Sequence, residues 1–382
     1  MRILMGGSGS TGSSLLRTIL SRHPELFSGE EVNFFNKEQY FENWHKYKHR
    51  CLPRRFHAPL VTKGWFPWPG NSLLHKDYHW KHQELRALVQ RSDTIEAFAE
   101  SFFQRSLEVT RARIWIEKTP SNAYSFRHFL RAFEYAKVIH TTRSPLDAVA
   151  SLVKRGMSPY FASGVWIYNT AAALSAADDP NYICVRYEEL VQHPSEVVQE
   201  LTDFLGVQFD KHMLRPSANE DTEHIQNPGW SYKRTEEVGG GSVGRFHSLP
   251  KEVQEEIITA LSLLRVSRAH AISKHLSYAS CSEICTALGY EFEPQVYRCK
   301  WKILRSYVQD VVYRTCKRYP THALYYPVEI VEAGLGSHSA SSPKQSAGAF
   351  SPATRPATPV STAPTTGRSV VTTAGDNLYE RL

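Results

Sequence analysis

The stretch Gly6 to Leu16, GGSGSTGSSLL, is built to hold an anion: glycines let the chain turn tightly, and successive N–H groups plus the start of a following helix cradle negative charge. Two signatures overlap in it. Gly7, Gly9 and Gly12 spell the dinucleotide fingerprint G-x-G-x-x-G, whereas Gly7 to Ser14 spell a phosphate loop, G-x-x-x-x-G-S-S, with Ser13 in the place of the lysine. A dinucleotide site wants an acidic residue closing a second strand about 20 residues on. Glu30 and Glu31 lie at that distance, but they follow HPELFSG, which reads as a helix exit and turn. A triphosphate kinase needs the loop lysine for the β and γ phosphates, and Ser13 brings no charge. The loop therefore reads as a holder of one phosphate group, neither a dehydrogenase fingerprint nor a competent kinase site.

Other stretches specify which phosphate. Ser10-Thr-Gly-Ser-Ser-Leu-Leu16, followed by RTILSRHPELFSGEE, resembles the 5′-phosphosulfate loop of sulfotransferases that use 3′-phosphoadenosine 5′-phosphosulfate (PAPS), and from Ser10 to Glu31 it is similar to the tyrosylprotein branch without a gap. Thr142-Arg-Ser-Pro-Leu-Asp-Ala-Val-Ala-Ser151 resembles the 3′-phosphate motif of that family, Glu117-Lys-Thr-Pro-Ser-Asn122 its K-T-P turn, Val185-Arg-Tyr-Glu-Glu-Leu190 its V-x-Y-E-D-L segment, and Ser242-Val-Gly-Arg-Phe246 its late S-x-G-R-W segment. The order is kept across roughly residues 1 to 260.

The resemblance implies a site. Gly9, Ser10, Thr11, Gly12, Ser13 and Ser14 would hold the 5′-phosphosulfate, Arg143 and Ser151 the 3′-phosphate, and Tyr187 the adenine. Lys233, Arg234 or Arg245 would compensate for Gly239-Gly-Gly241, which stands where cytosolic relatives carry R-K-G, and Arg245 is the one taken as cofactor-binding. Ser10 occupies the position of the family's loop Lys or Arg, so Lys118, at the C-terminal end of a strand where α/β sites gather, is expected to neutralise the leaving phosphate. Glu31 aligns with the second glutamate of the tyrosylprotein G-E-E and is the candidate general base. Glu30 is equally near, and cytosolic relatives use a histidine, for which His45, His49, His57, His75, His79 and His82 are on offer. No metal is required in principle, and adenosine 3′,5′-bisphosphate would be the nucleotide product. A non-catalytic nucleotide-binding protein of the same fold and a nucleotide kinase-like enzyme are the competing readings.

The elements that must position these residues alternate between strand and helix, which predicts an α/β fold with a central, mainly parallel sheet flanked by helices in three P-loop-like layers. Strands are expected at 2–5, 113–117, 136–141 and 182–186, and helices at 13–22, from Asp93-Thr-Ile-Glu96 onward, from Pro145, from Pro194 to Gly206 and from Pro250. The sulfotransferase domain is expected over 1–264 and an aromatic, cysteine-bearing extension over 265–333. From 334 to 382 a Ser/Thr/Pro/Ala-rich composition predicts a disordered tail.

Residues 33–92 interrupt this rhythm with a helical, basic and aromatic insertion, the candidate acceptor-binding region. Trp44, Trp65, Trp68 and Trp80 are interleaved there with lysines and arginines, which suits an anionic glycan, an acidic tyrosine-bearing peptide, or a phenolic or alkaloid small molecule, unless these aromatics are core. A net charge of +7 with pI near 9.0 fits anionic partners without indicating nucleic acid. Apolar runs fall short of the ~20 residues of a membrane span. Taken as complete, the chain is expected in the cytoplasm; with an N-terminal anchor truncated, in the Golgi lumen. Cys281, Cys285, Cys299 and Cys316 cluster without a C-x-x-C pair, leaving zinc or disulfides as a minor option.

Overall fold

Five parallel strands, Arg2–Gly7 (β1), Leu26–Phe27 (β2), Ile114–Lys118 (β3), Ala136–Thr142 (β4) and Tyr182–Arg186 (β5), lie side by side in the order β2-β3-β1-β4-β5. They come from a computed structural model that describes residues 1–50, 77–215, 241–270, 272–299, 301–306, 308 and 328–330. The tail expected over 334–382 lies outside these residues, as do Trp65, Trp68, His57, His75, Lys233, Arg234, Cys51 and Cys316. The side chain of His82 is likewise not described.

Side-chain alternation gives each strand two buried faces. On one face Ile3, Met5, Ile114, Ile116 and Ile139 pack with Leu15, Leu16, Ile19 and Leu20 of the helix Ser13–Ser21. On the other, Leu4, Trp115 and Val138 join an aromatic cluster built around Phe34, Phe35, Phe98, Phe102 and Phe103. Trp115 is stacked between Phe35, centroids 5.7 Å apart, and Phe103, at 4.2 Å. A third cluster joins the helices Pro145–Val153 and Pro159–Leu174 to Ile257, Leu261, Ile284 and Ile303, and it includes the antiparallel pair Leu264–Val266 (β6) and Val328–Ile330 (β7).

Helix limits follow the local signals. Thr94 caps the helix Ile95–Thr110 by accepting from Ala97 N at 3.1 Å, prolines open the helices at 145 and 194, and Gly206 ends Pro194–Leu205 at φ 68°. Two expectations need correction. HPELFSG is more than a turn, since Leu26 and Phe27 pair in parallel with Ile114 and Trp115; two residues are too short a run for alternation to reveal a strand. Within the insertion, Trp44 and Trp80 are core: their indole N–H groups donate to Ser92 O at 2.8 Å and Phe102 O at 2.9 Å, so neither ring is a surface platform for an acceptor.

The order of the strands positions the site. β1 is central, with β3 on one side and β4 on the other, and all carboxyl ends face the same way. The glycine loop leaving β1 is thereby flanked by the ends of β3 and β4, at the point where the connections diverge.

Candidate functional site

The loop from Gly7 to Ser13 folds against its neighbours more closely than any side chain would allow. A Cβ on Gly7, at φ +149°, would stand 2.1 Å from Thr141 O, and one on Gly12, at φ +82°, would stand 2.4 Å from the Tyr187 ring. Thr11 is spent on the loop itself: its hydroxyl donates to Ser8 O at 2.8 Å and lies 2.9 Å from Thr141 Oγ1. Gly12 caps the helix Ser13–Ser21 without a side-chain bond, so the first-turn N–H groups open toward the loop. Ser10 adopts φ 68°, and the hydroxyls of Ser8 and Ser10 are buried without a hydrogen-bond partner among the described residues.

At the β3 side, alternation sends Lys118 to the face of Ile114 and Ile116, where that helix begins. Lys118 Nζ is 3.3 Å from Ser14 Oγ and forms an ion pair with Glu31. Lys118 is buried, whereas the Glu31 side chain stays about a quarter exposed, at 24%. Glu30 and Glu31, equally near the loop in the sequence, are thereby separated. Glu30 is buried against Arg17, Oε1 to Nη2 2.8 Å; its N–H bonds Asp77 at 3.0 Å and its carbonyl accepts from Tyr78. Of the histidines offered as bases, His45 and His49 are exposed and His79 is half-buried, with its carbonyl held by Arg105 at 3.0 Å.

At the β4 side, Arg143 follows the strand directly and is 3% exposed. Its Nη1 donates to Ser10 O at 3.3 Å, its Nη2 donates to Ser242 O and stands 3.4 Å from Asp147, and its Nε is buried without a hydrogen bond. The guanidinium lies 4.7 Å from the centroid of Tyr187, which starts the helix Tyr187–Gln192 instead of ending β5. Ser151 and Arg245 meet here too: Arg245 donates to Ser151 Oγ at 3.1 Å and to Ser242 Oγ at 2.7 Å. Asp147 fixes the late segment by accepting from Gly244 N at 2.7 Å and Phe246 N at 2.8 Å.

Burial first, and then the Arg143 charge, hold Arg245 below the ordinary arginine range. Arg155 is lowered in the same way, by burial and then by Arg245 and Arg143. Three guanidinium groups therefore repel one another around Ser151, an arrangement that an anion would relieve. Arg155 was not among the expected residues. Its signal was its position four residues after Ser151, just past the end of the helix Pro145–Val153.

Of the expected site residues, Ser10, Ser14, Glu31 and Lys118 gather at one corner of the sheet's carboxyl edge and Arg143, Ser151, Tyr187 and Arg245 at another. Among the described residues, no group of His, Cys, Asp and Glu is arranged to hold a metal, and Cys184, Cys281, Cys285 and Cys299 are free thiols. No helix among these residues is long and apolar enough to cross a membrane.

Several known proteins are similar to this chain. Protein-tyrosine sulfotransferase A of Caenorhabditis elegans is 23% identical over 56% of this chain and 51% of its own length, so the chain spans about half of that relative. Among solved structures, the sulfotransferase domain of the Synechococcus PCC 7002 olefin synthase aligns at TM-score 0.45 and 20% identity, covering 77% of this chain and 95% of that one. A sulfotransferase domain from the curacin biosynthetic pathway aligns at TM-score 0.43 and 17% identity, covering 76% and 98%. The family model described as "Sulfotransferase family" matches residues 2–211, more than half of the sequence, and the chain belongs to that family.

Proposed function

We propose that this chain transfers the sulfuryl group of PAPS to a hydroxyl or amine of an acceptor, with Lys118 and Glu31 at the reacting end and Arg143, Ser151, Arg245 and Arg155 at the nucleotide's 3′-phosphate. The observation that carries the reading is the meeting of Lys118, Glu31 and Ser14 at the mouth of the glycine loop.

The residues present fit such a donor. The loop N–H groups and the hydroxyls of Ser13 and Ser14 would hold the 5′-phosphate, and the buried, unpartnered Nε of Arg143 and hydroxyl of Ser10 are polar atoms that a ligand would satisfy. Tyr187 would face the adenosine. Bound there, PAPS supplies an activated sulfuryl group on a phosphate leaving group.

The transfer breaks the bond between sulfur and the bridging phosphate oxygen and forms one between sulfur and the acceptor atom. Glu31 takes the acceptor's proton. Lys118 neutralises the charge that grows on the bridging oxygen, the task that relatives give to a loop Lys or Arg where this chain has Ser10. In-line positioning supplies the remainder. The acceptor class we favour is a glycan or a tyrosine-bearing peptide, on the basic character of residues 43–82.

Calorimetry with adenosine 3′,5′-bisphosphate should give tight binding with or without magnesium, and labelled sulfate should pass from PAPS to at least one member of a panel of glycans, peptides and phenols. Binding of ATP only with magnesium, or tight bisphosphate binding with no transfer to any acceptor, would overturn the reading in favour of a kinase-like enzyme or a binding protein.

A further inference from the structure

We propose that Glu117 is the positioning residue of the transfer pair: its buried carboxylate clamps the segment that carries Glu31 onto the strand end that carries Lys118. The proposal rests on the roles given to those two residues above.

Alternation turns Glu117 away from Lys118, toward the face of Trp115 and the aromatic cluster. It is 0% exposed. Its Oε1 accepts from Val32 N at 3.1 Å and from Thr119 Oγ1 at 2.7 Å, and its Oε2 accepts from Asn122 Nδ2. Val32 directly follows Glu31, and Phe34 and Phe35 beyond it are sealed in the core, so the bond to Val32 fixes the exit of the base-bearing segment. Asn122 also donates to Met5 O at 3.1 Å, which extends the same network to the end of β1, where the glycine loop starts. One carboxylate therefore ties together the three chain segments that meet at the reacting end.

Its three partners are all donors. That pattern favours the ionised carboxylate, an acceptor at both oxygens; a protonated carboxyl carries a hydrogen that the Thr119 hydroxyl or the Asn122 amide would have to turn to accept, which rearranges the set and weakens the hold on Val32 N–H. Burial nevertheless opposes the charge and pushes Glu117 up to about 6, against the lowering effect of the three hydrogen bonds. The charged and titratable groups around it are Glu31, whose like charge also raises it, and Tyr78, a phenol that burial keeps protonated, itself flanked by Asp77, Arg17 and Glu30. As pH falls through about 6, the clamp on Val32 loosens and turnover drops, while the Arg143 corner keeps its grip on nucleotide.

The experiment is a kcat and KM profile between pH 5 and 8 for the wild type, Glu31→Gln, Glu117→Gln and Thr119→Val, with adenosine 3′,5′-bisphosphate affinity measured alongside. Glu117→Gln should lower kcat about 10- to 100-fold and remove the acid limb near pH 6, with bisphosphate affinity within about twofold of wild type. Thr119→Val takes a donor from the ionised form, so it should move the limb to higher pH at little loss of maximal rate; should Glu117→Gln not fold, this shift decides. Wild-type profiles in both variants, with Glu31→Gln inactive, would overturn the proposal. An inactive wild type or a fully active Glu31→Gln would instead overturn the assignment of the pair.

Discussion

The two corners of the site handle charge in opposite ways. At the glycine loop, the cation Lys118 is already balanced by Glu31, and the groups that would meet an anion are backbone N–H groups. Around Ser151, Arg143, Arg155 and Arg245 outnumber Asp147, whose carboxylate is also committed to two backbone N–H groups. A compensated corner suits charge that appears only during reaction, because groups already in place need not reorganise. An under-compensated one suits charge that is present throughout, such as a permanent phosphate. The proposed division is that one corner sets rate and the other sets affinity.

The strongest test of that division is Glu31→Gln, expected to lower kcat by about 10² to 10⁴ with bisphosphate affinity intact, read by single-turnover sulfate transfer and calorimetry. Lys118→Met should cost about 10² to 10³ in kcat and leave Glu31 without its partner. Unchanged turnover in a folded Lys118→Met protein would break the comparison, since no other cation is assigned to that corner. Arg143→Lys keeps the charge but loses the fork and the stacking on Tyr187. It should weaken the bisphosphate by about 10- to 100-fold, equivalent to the ~1.5–3 kcal/mol of a charged hydrogen bond, and change kcat little. Arg155→Gln should weaken the same ligand only a few-fold, with the difference shrinking as salt rises, because the residue is more exposed than Arg143.

The smallest effect concerns the sheet below both corners. His140 on β4 is fully buried, accepts no charge readily and is pushed down to about 3 by burial, with Nδ1 2.6 Å from the Tyr182 hydroxyl. The unfolded imidazole binds a proton near its ordinary value of 6.5, so this contribution to stability is complete above that pH and is lost as pH falls toward 3. Melting temperature should therefore decline on acidification, and His140→Phe should flatten the slope between pH 7 and 5. The same measurement separates acid loss of the fold from the Glu117 limb.

Much of this architecture was legible in the sequence. Strands such as Ile114–Lys118 and Ala136–Thr142 are short apolar runs bounded by turns, and helix starts carry Thr94, Pro145 and Pro194 in the expected places. The order of the motifs located Lys118, Arg143, Ser151, Tyr187 and Arg245 before any geometry. What stayed hidden depended on contacts distant in the chain. Glu30 and Glu31 both follow Gly29, and only Arg17 and Asp77 on one side and Lys118 on the other tell them apart. Trp44 and Trp80 sit among lysines, and a mixed aromatic and basic composition reads alike whether the rings face in or out. Glu117 has the same obstacle: a glutamate at a strand end looks solvated until Val32, Thr119 and Asn122 close around it.

The proposed site gives Tyr187 a further role, through the thickness of its ring. The ring lies against Gly12, where even a methyl group would collide, and the Arg143 guanidinium stands 4.7 Å from its centroid. An aromatic plate so wedged is a gauge block that sets the gap between the two corners. Phenylalanine would preserve that gap and leucine would change it, so Tyr187→Leu should alter the preferred spacing of two phosphates on one ligand more than the affinity for either alone. Paired measurements with adenosine 3′,5′-bisphosphate and its two monophosphates would read this directly. The length of the nucleotide would then be checked by a ring that bonds to neither phosphate.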